Sequence, residues 1–178
     1  MVSVQARLGK EKTMRRAMGL VLSLLLMGCA SAKKGETPVP PLTITVTCKD
    51  NPSCVFQGED LFLEIAVTNT TSGTIGFPLA FVQKTGPSIR LSNPRTREET
   101  NLRTNLADFA LKEDFTPIAP GQSVLLRWVI HASELRDMGG ADVDLRARIT
   151  VSAEIAVRDQ RVPFLGTDTR RIVEKPAR

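Results

Sequence analysis

VDLRARITVSAEIAVR, residues 143–158, decides the fold. Val143, Leu145, Ala147, Ile149, Val151, Ala153, Ile155 and Val157 alternate with Asp144, Arg146, Arg148, Thr150, Ser152, Glu154 and Arg158. Successive side chains of an extended strand point to opposite faces, so this pattern is that of a strand with one face buried and one wet. It predicts one long, bent strand, or two strands meeting near Ser152.

The same period runs outward from that stretch. In QSVLLRWVIH, residues 122–131, Val124, Leu126, Trp128 and Ile130 share a face opposite Arg127 and His131. Leu42, Ile44, Val46 and Cys48 alternate with Thr43, Thr45 and Thr47, and Leu61, Leu63, Ile65 and Val67 oppose Glu64, Ala66 and Thr68. NTTSG at 69–73 supplies a turn. TIGFPLAFVQ, residues 74–83, reads as a third strand in chain order, with Pro78 at an edge or bulge. SIRLS at 88–92 reads as a short fourth, and LGTDTRRIVEK at 165–175 as the last. SELRDMGG, 133–140, reads as a helical turn begun by Ser133 and stopped by glycine. Residues 92–115 read as the longest surface loop, holding a strand or short helix between Leu102 and Leu111.

Seven or eight strands with turn signals between them, and no βαβ spacing, predict an all-β antiparallel sandwich over residues 42–175. EIAVTNTTSGTIGF (64–77) and FTPIAPGQSVLLRWVI (115–130) resemble immunoglobulin-like modules of exported bacterial proteins. In such modules a strand ends in "TN", a turn follows, and "PGQS" opens a later strand. The pattern is also similar to the intracellular proteinase inhibitor of bacilli. The resemblance implies an immunoglobulin-like sandwich. No inhibitory site comes with it. The chain has no Tyr for a tyrosine corner, and Cys48 and Cys54 stand too close in sequence for a bridge between sheets.

Ahead of the sandwich, Met18–Met27 is a run of apolar residues broken only by Gly19 and Ser23, preceded by Arg15 and Arg16. As a helix it covers roughly 15 Å, half of a bilayer's hydrocarbon core. Charged, apolar, then small residues is the order of a secretory signal. Leu26-Met27-Gly28-Cys29 resembles the lipobox of bacterial lipoproteins. The resemblance implies cleavage before Cys29, removing residues 1–28, and a lipid on the Cys29 thiol. Met14 opens a more typical signal and is an alternative start. Ala30 and Ser31 lack the aspartate that commonly retains such proteins at the inner membrane. The implied location is therefore the outer membrane of a diderm host, facing the periplasm. Two or three acyl chains hold firmly where one does not. Residues 29–41, ending in Pro38, Pro40 and Pro41, read as a Pro-rich extended tether.

The chain's net charge of +5 invites a nucleic-acid reading. Ahead of Cys29, however, lie five of its 24 basic residues and one of its 19 acidic ones, leaving 19 against 18. The body makes no strong electrostatic claim on phosphate by net charge, and no nucleic-acid partner is expected. With Cys29 spent on lipid, Cys48 and Cys54 form an even pair, framing the turn residues Asn51-Pro52-Ser53. A structural disulfide is the expected state and two free thiols the alternative. Zinc needs four ligands, and the mature chain offers two thiols and the distant His131.

Catalytic chemistry is sparse. There is no G-x-S-x-G, no phosphate-cradling glycine loop, and a single imidazole, His131. Asp142 and Asp144 could contribute to a Ca²⁺ site only with four or more further oxygens. No metal, cofactor or catalytic residue is expected. Arg95, Arg97, Glu98 and Glu99 in the 92–115 stretch are the candidate binding residues. The expected function is a membrane-anchored envelope protein whose sandwich binds another envelope protein or plays a structural part. The alternative is a small-ligand or protease-inhibitor module with 92–115 as its reactive loop.

Overall fold

The computed structural model describes residues 40–49 and 51–175. The leader, Cys29 and most of the tether lie outside the described residues. The described residues form one compact unit, and its core is the inner face of two sheets.

The smaller sheet has three antiparallel strands in the order β1 (Leu42–Cys48), β3 (Leu61–Asn69), β8 (Ser123–Ile130). Every alternation expected in them is present. Leu42, Val46, Cys48, Leu61, Leu63, Ile65, Val67, Leu126 and Ile130 are buried, and their threonine, glutamate and arginine neighbours face out. Asn69 ends β3 fully buried, its amide donating to the carbonyls of Gly73 and Ile118 and its Oδ1 accepting from Thr71. A buried amide with all these bonds made fixes the turn that the sequence places there.

The larger sheet is built on the opening stretch. β9 (Asp144–Val157) is one continuous strand of 14 residues, and β10 (Gln160–Glu174) pairs with it antiparallel over its whole length. One side of β10 carries the two-residue β2 (Val55–Phe56), the only parallel pairing described. The far side of β9 is shared. Its C-terminal end pairs with β4 (Ile75–Phe77), which pairs in turn with β7 (Thr116–Ile118). Its N-terminal half pairs with β5 (Ser88–Ser92), which pairs with β6 (Glu99–Asn101). The protein is thus an all-β, sandwich-like molecule with ten strands among the described residues, more than the seven or eight expected because β2, β4, β6 and β7 are only two or three residues long.

Three expectations need correction. TIGFPLAFVQ is not one strand. β4 stops at Phe77, and α1 (Leu79–Thr85) begins after Pro78. Proline at a helix entrance loses no bond, since the first N–H groups have no helical partner. The second helix, α2, spans Ala132–Gly139, two turns instead of one, with His131 and not Ser133 at its cap. Residues 92–115 are not one long loop. Asn93 is buried, accepts from the N–H groups of Arg95 and Thr96 and donates to the Met138 carbonyl. It thereby ties a tight turn between β5 and β6, after which an extended run leads to a single 3-10 turn at Phe109–Leu111.

The Cys48–Cys54 disulfide is formed, with Cα atoms 5.3 Å apart. Asn51 Nδ2 donates to the Val55 carbonyl at 2.6 Å, and Cys54 adopts φ +51°. The chain turns here from the small sheet to the large one.

Candidate functional site

In the three-stranded sheet, β8 is an edge. Its open side carries the peptide groups of alternate residues, and Arg127 shows which. Arg127 donates its N–H to Gln83 Oε1 at 3.0 Å, and its carbonyl accepts from Gln83 Nε2 at 2.8 Å. Both groups therefore point away from β3, and so do those of Leu125 and Val129, two residues to either side. Gln83 on α1 stands in for one residue of a neighbouring strand. Among the described residues the rest of the edge has no partner strand.

Beside this edge lies an open groove of about 500 Å³. Its floor is apolar: Trp128 and Val129 from β8, Phe62 from β3 and Leu102 from the run after β6. Its rim is polar, formed by Arg103, Asn105, Arg127, His131 and Glu134. Trp128 is half-buried, its indole against Gly86. A Cβ at Gly86 would collide with the ring, and φ is +86° there, so glycine is required on both counts. The sequence reading put Trp128 in the core, whereas the structure divides it between core and groove. Phe62 is 56% exposed, an aromatic left on the outward face of β3 beside Glu64, Ala66 and Thr68. Asn105 fixes the opposite wall by donating from its backbone and its amide to the carbonyls of Thr85 and Lys84.

His131 sits at the rim. Its Nδ1 lies 3.1 Å from Asp60 Oδ2, and Asp60 Oδ1 accepts the Ala132 N–H at 2.8 Å. Glu134 accepts the His131 N–H. Two carboxylates thus satisfy the first N–H groups of α2. The Ala132 N–H, and then the His131 side chain, hold the Asp60 carboxyl below the usual carboxylate range. Among the described residues no serine, threonine or cysteine lines the groove. The His–Asp pair caps a helix and faces no nucleophile there.

Arg95, Arg97, Glu98 and Glu99, the candidate binding residues, do not converge on the groove. Arg95 Nη1 approaches Asp142 at 4.0 Å, and Glu99 pairs with Arg90 at 3.4 Å across the β5–β6 ladder. Glu98 accepts from the Thr96 hydroxyl, and Arg97 occupies the left-handed region at φ +66°. All four are exposed around one turn. Asp144, weighed with Asp142 for Ca²⁺, pairs with Arg171 at 2.9 Å. Among the described residues no cluster of His, Cys, Asp or Glu is arranged to hold a metal. No helix among them is long and apolar enough to cross a membrane.

Sequence reasoning missed the groove because its parts lie far apart in the chain. One signal was present: Phe62, an aromatic at an outward position of β3.

No family model matches the chain, and no curated protein does. Among solved structures, the chain is similar to the Northeast Structural Genomics Consortium target SoR45 at 7% identity and a TM-score of 0.38, over 75% of this chain and 86% of that one. A protein from Archaeoglobus fulgidus matches at 10% identity and 0.35, over 76% and 98%. A mutant β-glucosidase from Listeria innocua in complex with laminaribiose matches at 8% and 0.33, over 76% of this chain but 16% of that one. Likeness at this level carries neither a family nor an activity.

Proposed function

We propose that this is a membrane-anchored envelope lipoprotein whose sandwich is a non-enzymatic interaction module, and that the β8 edge with its groove takes up an extended segment of another envelope protein. The observation that carries the reading is the open β8 edge beside a half-apolar groove. An added strand gains main-chain hydrogen bonds from Leu125 and Val129, and specificity from side chains set against Phe62, Trp128 and Leu102. Gln83 already mimics one residue of that strand. Arg103 and Arg127 on the rim favour a segment with carboxylates.

The address rests on the leader's order of residues and on Cys29. The oxidised Cys48–Cys54 pair supports it, since such bridges persist in oxidising compartments. Mass spectrometry of the mature protein tests the address: a chain beginning at Cys29 and carrying acyl mass is expected, and a full-length chain without it refutes the anchor. A photo-crosslinking residue at Val129 in intact cells tests the module. One stoichiometric envelope partner is expected there, lost on Phe62→Ala combined with Trp128→Ala. Hydrolytic turnover abolished by His131→Ala would refute the non-enzymatic reading.

A further inference from the structure

The outer face of the large sheet gathers arginines that the sequence spreads over 80 positions. The ladders set Arg90 beside Arg148, and Arg148 beside Thr169. One step along, Ser92 stands beside Arg146, and Arg146 beside Arg171. Neighbouring strands are about 5 Å apart and alternate residues about 7 Å, so four guanidinium groups share a small, nearly flat field. Two of them have acidic partners: Arg90 with Glu99 at 3.4 Å and Arg171 with Asp144 at 2.9 Å. Arg146 and Arg148 are exposed and make no ion pair among the described residues. With Arg90, Ser92, Glu99 and Thr169 they line a shallow, mainly polar depression of about 420 Å³. Further along the same face, Thr150 and Thr167 pair their hydroxyls, and Leu165 stands 70% exposed opposite Ser152.

We propose that this arginine face rests on an anionic lipid surface, with Arg146 and Arg148 on phosphate head groups. Charge complementarity is local: four guanidinium groups face two carboxylates here, while the body as a whole is close to neutral. A single soluble phosphate would be weakly held, because exposed ion pairs contribute little and compete with water and salt. A lipid surface offers many phosphates at once, so that weak contacts sum over the face. Its flatness suits a sheet face, and Leu165 gives the interface an apolar contact. The site is separate from the β8 groove and does not depend on Cys29 being acylated.

Residues 38–178, which hold every described residue and lack Cys29, are the protein to test. They should sediment with vesicles of phosphatidylglycerol and phosphatidylcholine, not with phosphatidylcholine alone, and about 0.5 M salt should release them. Arg146→Gln with Arg148→Gln should weaken sedimentation roughly thirty-fold, while the charge-matched pair Lys49→Gln with Arg158→Gln changes it little. If the double variant fails to show the parent's thermal melt, each single variant carries the test, with a weakening of about five-fold. No sedimentation with anionic vesicles would overturn the proposal. So would equal losses in the two double variants. Release by inorganic phosphate far beyond that by chloride at equal ionic strength would make this a soluble-anion site and overturn it too.

Discussion

Gly86 shows how much one residue can carry. It ends α1, its N–H donates to the Val82 carbonyl, and it lies where Trp128 leaves no room for a Cβ. Gly86→Ala meets both a positive φ and a filled space. It should cost about 2 to 4 kcal/mol and move the indole, so tryptophan fluorescence and a urea melt should shift together. Glu174 is a pin of another kind. It accepts two bonds from Arg136 of α2, at 2.6 and 2.7 Å, and the Val143 N–H at 3.1 Å. The Arg136 guanidinium, with the Val143 N–H, holds its carboxyl below the ordinary range. A depressed carboxyl stabilises fully above its unfolded pKa, and that stability is lost as pH falls through the folded value. Thermal stability should therefore decline as pH drops below the ordinary carboxylate range, and Glu174→Gln should flatten the decline and lower stability at neutral pH. A pH series of melts on both proteins checks it.

At the scale of elements, β8 makes a sharper prediction than its composition. Trp128 is paired inward and Val129 turned outward, so one step separates a tolerated proline from a ruinous one. Val129→Pro removes an N–H that no strand accepts, which edge positions allow. It should keep the fold and abolish partner capture. Trp128→Pro breaks the ladder to β3 as well as emptying the core side of the groove, and should give no cooperative melt. The β9–β10 hairpin adds a stabilising change. Its loop is Arg158-Asp159, with Arg158 at φ +55° and not Asp159. A two-residue loop with only its first position positive favours glycine there, so Arg158→Gly should stabilise by about 0.5 to 1 kcal/mol in urea unfolding.

The strands were legible because their alternation is local, and burial of one face enforces it residue by residue. What was not legible depends on neighbours distant in sequence. Residues 79–85 carry helix formers after a proline, but the two-residue period of Ile75 and Phe77 continues through Leu79 and Phe81. Asn93 reads as loop chemistry, and only the Met138 carbonyl, 45 residues on, makes it a buried turn organiser. The candidate cluster Arg95 to Glu99 is a run of charges on one exposed turn. Charge density marks a solvated turn as readily as a site, whereas the groove needed α1, β3, β8 and the run after β6 brought together.

The described molecule is two sheets packed on a shared apolar core, with polar contacts and the disulfide-closed loop at their rims. At β1, Val46 donates its N–H to Asp168 Oδ2 at 2.7 Å, and Arg170 donates to the same oxygen. This bond ties the small sheet's outer edge to β10 and covers part of that edge. At the other rim, the disulfide loop carries the chain across to β2, and Phe56 is fully buried there beneath the Arg136 guanidinium, 4.8 Å from the ring centroid. The bridge closes a loop with a sequence separation of 6, so its effect on the unfolded chain is modest, roughly 2 kcal/mol. Its local effect is larger in kind. β2 has two residues and cannot hold its place by ladder bonds alone, so Cys48→Ala with Cys54→Ala should free it first. The unfolding free energy should fall by that amount, as a lower urea midpoint with the slope little changed, and hydrogen exchange should quicken at Val55, Phe56 and the start of α2 while β3 and β9 stay protected. If the slope also fell, or exchange rose evenly across both sheets, the bridge would be holding the sandwich as a whole, and the crossing at β2 would not be the weak point that these contacts make it.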